Sequence, residues 1–142
     1  MNKLVETLET QHRALERLVA EIASAADAGK PDAISEPLAK LERMLAQHFN
    51  LEQTQFYPTL RRLSAKNAAL TTVAQAFATN MQTIGDGLLA FFKRHRAPID
   101  LAAFAPDWKR TVDILQRRLV DEEQTLHPLF ERLVANDSQT TR

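Results

Sequence analysis

No cysteine occurs among the 142 residues, which excludes disulfide scaffolds, thiol chemistry and Cys-ligated zinc or iron–sulfur centres. Glycine is nearly as scarce, with only Gly29, Gly85 and Gly87, and this disfavours a sheet protein built on many tight turns. Neither sign of charge is in excess, since 18 Lys and Arg balance 18 Asp and Glu. A neutral total gives no electrostatic footprint for nucleic acid or an anionic membrane. No run approaches the ~20 apolar residues of a membrane-spanning helix. The opening MNKLVETLETQH carries acidic residues where a secretory leader needs apolar ones, so the expected location is the cytoplasm. There is no G-x-S-x-G and no Gly-rich phosphate loop, which removes the usual signatures of serine hydrolases and phosphate-cradling sites.

What is present points to helices. The chain holds 21 Ala and 19 Leu, strong helix formers, in a length suited to one domain. Four segments show helical periodicity. The first carries Leu4, Leu8, His12, Leu15, Val19 and Ile22 and stops at Ala28-Gly29-Lys30-Pro31. A second carries Leu38, Leu41, Leu45, His48, Glu52 and Phe56, and a third Phe77, Met81, Ile84, Leu88 and Phe91. The fourth, opened by Pro106-Asp107, carries Trp108, Val112, Leu115, Leu119, Glu122, Leu126, Leu129 and Leu133. Short connections between long helices predict an all-α, up-down-up-down four-helix bundle over residues 1–135, followed by a polar tail from Asn136 to Arg142. Pro58 and Pro128 fall inside helical segments and predict local kinks.

The two halves echo each other at a shift of 70 residues: HFNLEQTQFYPTLRRL (48–63) aligns with RLVDEEQTLHPLFERL (118–133). Glu52/Glu122, Pro58/Pro128, Arg62/Arg132 and Leu63/Leu133 are identical, so each half repeats an acid followed six residues later by proline.

His12, His48, Glu52 and Glu122 interrupt otherwise apolar stripes, where an ionised carboxylate is costly unless paired or bound to metal. If the first two helices turn at 30.5, His12 and His48 lie 18.5 and 17.5 residues from the turn. At about 1.5 Å rise per residue they share one level of the bundle, with Glu52 one turn beyond. The same count for the second hairpin, turning near 99.5, brings Met81 and Arg118 to that level and Glu122 and Glu123 near Glu52. Met81 reads most simply as core packing.

This arrangement resembles the hemerythrin-like (HHE cation-binding) family over essentially the whole chain. The resemblance implies a His on helix 1, H-x-x-x-E on helix 2, H-x-x-x-H on helix 3 and H-x-x-x-x-D/E on helix 4, holding two irons bridged by two carboxylates. His12 matches the first position, and His48 with Glu52 the second motif. For the helix 4 acid, Glu123 matches the family spacing and Glu122 the internal repeat, and both stay candidates. Met81 and Gly85 stand where helix 3 would supply histidines, and Arg118 where helix 4 would. The first iron's ligand set is therefore kept and the second's histidines are gone.

The expectation that follows is a non-enzymatic metal-binding or sensing domain with an incomplete site. It would hold at most one Fe, Zn or Mn ion through His12, His48, Glu52 and Glu122 or Glu123, with Arg118 as surrogate for the second cation. Two-iron dioxygen carriage does not fit. An alternative is a metal-free bundle that binds a protein partner or itself, its carboxylates paired with Arg118. In that state two acids facing one arginine predict that one takes a proton. A mononuclear iron oxidase or peroxidase-like activity would rest only on an open coordination position. Ferritin-like di-iron sites need Glu-x-x-His on two helices, and here the spacing occurs once, at Glu9-Thr10-Gln11-His12. His95, in the basic run Lys93–Arg96, reads as a surface residue at a helix end, and His127, opposite Tyr57 in the repeat, as lying beyond the polar layer.

Overall fold

In the computed structural model, which describes residues 2–140, the chain forms four antiparallel helical rods, with no strand among the described residues. The first rod is α1 (Lys3–Asp27). Asn2 caps it, its Oδ1 accepting from the backbone N–H of Leu4 at 2.8 Å and Val5 at 3.3 Å. At the other end Gly29 turns left-handed at φ +67°, and the N–H groups of Ala28, Gly29 and Lys30 close onto Ser24, Ala26 and Ala25 carbonyls. That is the glycine stop expected from Ala28-Gly29-Lys30-Pro31.

A 3-10 turn (Pro31–Ala33) leads into α2 (Ser35–Leu51), which runs through a π-helical turn (Glu52–Phe56) into α3 (Tyr57–Ser64). The third rod, α4 (Ala68–Arg94), is capped by Asn67. The fourth is α5 (Leu101–Asp121), a second π-helical turn (Glu122–Leu126) and α6 (His127–Thr140). Helix α6 thus continues into the polar stretch that begins at Asn136. No helix of the described residues is long and apolar enough to cross a membrane.

Two sequence expectations change here. Pro58 and Pro128 do not simply kink their helices, because each follows a π turn that begins at the repeat's acid. A proline lacks the N–H its helix would use and crowds the carbonyl four residues back, and a widened turn just ahead of it absorbs both conflicts. The fourth rod also starts earlier than Pro106-Asp107. Leu101 opens it and Pro106 lies inside, since Phe104 is fully buried and stacks on Trp108 at 5.5 Å, extending the apolar stripe upstream.

The core is divided in two. One cluster, around Leu15, Ile22, Leu41, Phe91, Phe104 and Leu115, fills the end near the α1–α2 turn. The other, with Val5, Leu8, Phe56, Leu60, Met81 and Phe130, fills the opposite end. Met81 packs in this second cluster, as expected. Between the two lies a polar layer.

His95 is not a surface residue. It is 9% exposed and its Nε2 meets Asp107 Oδ2 at 2.7 Å, while Arg94 binds the same oxygen through Nε at 3.0 Å and Nη2 at 2.8 Å. Its ring packs against Phe91 and Phe104, so the aromatic core, together with Asp107, draws it inward from the end of α4.

Candidate metal centre

The layer between the two cores contains His12 from α1, His48 from α2, Glu52 and Glu122 from the first positions of the two π turns, and Arg118 from α5. His12, His48, Glu52 and Glu122 are all 0% exposed. Equal counting from the turn does bring the histidines together: Nε2 of His12 lies 3.3 Å from Nε2 of His48. Glu122 Oε1 stands 2.9 Å from His12 Nε2 and 3.6 Å from His48 Nε2, and Glu52 Oε1 is 3.4 Å from His48 Nε2.

The outer ring nitrogens settle which atoms face inward. His48 Nδ1 donates to Gln11 Oε1 at 2.8 Å, and His12 Nδ1 donates to Glu123 Oε2 at 3.2 Å. Amide and carboxylate oxygens only accept, so each neutral ring turns an Nε2 lone pair into the layer. Outer hydrogen bonds of this kind orient metal-binding imidazoles. Two lone pairs at 3.3 Å beside a carboxylate repel one another unless a cation, either a proton or a metal ion, sits among them.

Glu122 and Glu123 separate cleanly. Glu122 is the buried acid, and Glu123 stands at the rim with its side chain 23% exposed, bonded to His12 and Arg13. Glu122 also bridges in the literal sense. Its Oε1 faces the histidines, while Oε2 accepts from Arg118 Nε at 2.7 Å. The Arg118 guanidinium further donates to Asn80 Oδ1 at 3.2 Å and to the Tyr57 hydroxyl, and lies 5.1 Å from the centre of the Phe77 ring. Glu52 has no such support, and neither of its buried oxygens has a hydrogen-bond partner among the described residues.

The protonation pattern follows from these contacts. Burial raises Glu52 well above the carboxylate range, the Glu122 charge adds to it, and Arg118 offsets only part. Burial acts on Glu122 the same way, yet the approach of His12 and His48 to its Oε1 and the Arg118 charge hold it below the usual range. For His12, burial is outweighed by Glu122 and Glu123, so its ring protonates more readily than usual. His48 is pushed down, chiefly by burial and also by the charges of His12 and His127, against the pull of Glu122. Of the layer's two acids, Glu52 is thus the one shifted towards its protonated form.

Sequence reasoning did not find the layer's outer partners Gln11, Asn80 and Tyr57. Tyr57 and His127 are equivalent in the repeat, and that equivalence was the available signal: both are buried against the layer, Tyr57 on Arg118 and His127 stacked on His12 at 5.6 Å. His127 Nδ1 donates to Glu9 Oε2 at 2.9 Å, and its Nε2 has no partner among the described residues.

The donor set suits a metal ion. Bonds of about 2.0–2.2 Å at tetrahedral or octahedral angles place neighbouring ligand atoms about 3.0–3.5 Å apart, close to the separations above. His12, His48 and Glu122 offer one ligand atom each within 4.8 Å of one another, so this group could hold a cation. Fold and site together define a four-helix bundle with a buried His/His/Glu cluster. The chain belongs to the hemerythrin HHE cation-binding domain family, whose model matches residues 3–130. Comparison with curated proteins and with solved structures gives no match.

Proposed function

We propose that this is a cytoplasmic, non-enzymatic domain that binds or senses one metal ion through His12, His48, Glu52 and Glu122. Arg118 takes the place of the second cation, and Glu123 orients His12 from the rim. The observation that carries this reading is the convergence of two buried Nε2 atoms and Glu122 Oε1 beside a Glu52 carboxylate with no hydrogen-bond partner among the described residues. Nitrogen and oxygen donors of this kind suit Fe(II), Zn or Mn. An ion bound there supplies the positive charge that the Glu52 oxygens and the two imidazole lone pairs lack. Its ligands come from α1, from α2 with its π turn, and from the turn after α5, so occupancy would tie three of the four rods together. Conversion of occupancy into fold stability is the physical basis of a sensor.

Arg118 supports the one-ion limit. Its charge already sits on Glu122 Oε2, and the helix 3 positions for a second set hold Met81 and Gly85. The same contact also favours a second reading, a metal-free interaction module in which Arg118, Glu122 and a protonated His12 neutralise the layer. Elemental analysis of protein purified without chelator or affinity-tag metal, repeated on His48→Ala, separates the two. The metal reading expects close to one ion per chain in the parent and a large loss in the variant. Traces alone in both, before and after anaerobic reloading, would favour the metal-free module.

A further inference from the structure

The candidate ligands are fully buried, so an ion can reach them only if some part of the wall moves. One stretch of the wall is in direct contact with the cluster. A surface hollow of ≈ 390 Å³ is lined by Glu6, Glu9, Thr10, Arg13 and Glu123, and two of these, Glu123 and Glu9, are hydrogen-bonded to the buried His12 and His127 rings. The His12 ring touches the hollow's Glu123 through Nδ1 and faces Glu122 through Nε2. Beside it, His127 holds the hollow's Glu9 through Nδ1, stacks on His12, is 1% exposed and leaves Nε2 without a partner among the described residues. Since Nδ1 is the atom turned to the hollow's Glu9, the unpartnered Nε2 lies on the far side of the ring from it.

We propose that this hollow is the port through which a divalent cation reaches the buried cluster, with Arg13 as its latch and His127 as a transit ligand. The proposal rests on the ion-binding reading above. Three carboxylates against one guanidinium make the mouth net negative, which raises the local concentration of cations. Arg13 closes it by pairing with Glu123, and its side chain is 50% exposed and shared with Glu16 at 3.3 Å, so the latch is weak and replaceable by solvent. Glu123 stands on a π turn, whose looser backbone ladder can readjust more readily than a regular helix. When Arg13 lets go, Glu123 can release His12 Nδ1, and the ring can turn without breaking either hydrophobic core. A cation held by Glu9 would then pass by His127 Nε2 to His12 Nε2.

A port alters rates in both directions and leaves the equilibrium nearly untouched. The test is stopped-flow loading of the apo full-length chain with Co(II), followed by extraction with excess chelator, at low salt. Arg13→Gln is expected to speed loading and extraction together by about threefold to fivefold, the equivalent of one exposed ion pair. Glu9→Gln is expected to slow both severalfold, with the dissociation constant changed less than either rate. Glu42→Gln, which removes a carboxylate paired with Arg96 on another face, is the control and should leave both rates unchanged. Normal affinity with parental rates in Arg13→Gln and Glu9→Gln would overturn the port alone, as would equal slowing by Glu42→Gln. A parent chain that takes up no Co(II) would overturn the ion-binding reading and the port with it.

Discussion

Arg118 Nε donates to Glu122 Oε2 at 2.7 Å, while the other oxygen of the same carboxylate faces His12 and His48. One acid therefore has a fixed cation on one side and two imidazole nitrogens on the other. Arg118 is 3% exposed, so the pair is desolvated, and removing one partner leaves a buried charge uncompensated. Arg118→Ala is expected to destabilise the metal-free protein by about 3–5 kcal/mol, measured by urea unfolding, and to weaken metal binding. A variant that unfolds and binds metal like the parent would remove Arg118 from its role.

Glu52 makes the opposite prediction. Its folded-state pKa is raised, so the folded protein holds a proton that the unfolded chain releases once pH passes the ordinary carboxylate range. Stability of the metal-free protein then falls as pH rises from there towards the folded pKa, by at most about 1.4 kcal/mol per pH unit for this group. Glu52→Gln has no proton to lose. It should match the parent near pH 4 and exceed it at pH 8 in the metal-free state, while binding metal far more weakly. Parallel unfolding curves for the two proteins across that range would contradict the assignment of the buried proton to Glu52.

Metal binding should release protons. In the metal-free layer His12 is drawn towards its protonated form by Glu122 and Glu123, and Glu52 is held neutral by burial and the Glu122 charge. A metal ligand must give up its proton, so binding displaces one proton from each group that carries one. Calorimetric titration in two buffers of different ionisation enthalpy should report a release of about one to two protons per ion at pH 6, and affinity should rise with pH. Zero release would mean that the ion binds elsewhere.

At the far end of the bundle, Asp107→Asn is expected to separate stability from metal binding. Asp107 holds His95 and Arg94, and these contacts keep its carboxyl below the usual range although burial opposes them. Losing the charge should cost about 1–3 kcal/mol and lower the thermal midpoint, with metal affinity unchanged. Reduced metal affinity would show that the two ends of the core are coupled.

Periodicity and turn chemistry made the rods, the Gly29 stop and the meeting of His12 with His48 legible in the sequence, because counting along antiparallel helices needs only the rise per residue. The choice between Glu122 and Glu123 was not legible. The helical stripe and the internal repeat pointed to Glu122 and the family spacing to Glu123, and only the structure puts Glu122 at 0% exposure with Glu123 at the rim. His95 was misplaced for a different reason. A basic run at a helix end suggests the surface, but Phe91, Phe104 and Asp107 converge from separate segments to bury the ring. Side chains that act through the ligands, such as Gln11 and Asn80, leave no local signature, and for Tyr57 the trace is its equivalence to His127 in the repeat.

The central claim is a site for one ion, with a guanidinium where a second would be. Equilibrium dialysis against saturating Fe(II) under anaerobic conditions, with protein and iron counted independently, tests it most directly. The account predicts a plateau at about one iron per chain, falling close to zero in His48→Ala. A plateau at two per chain would show that Arg118 does not replace the second cation, and no binding at any concentration would show that the layer is closed without metal.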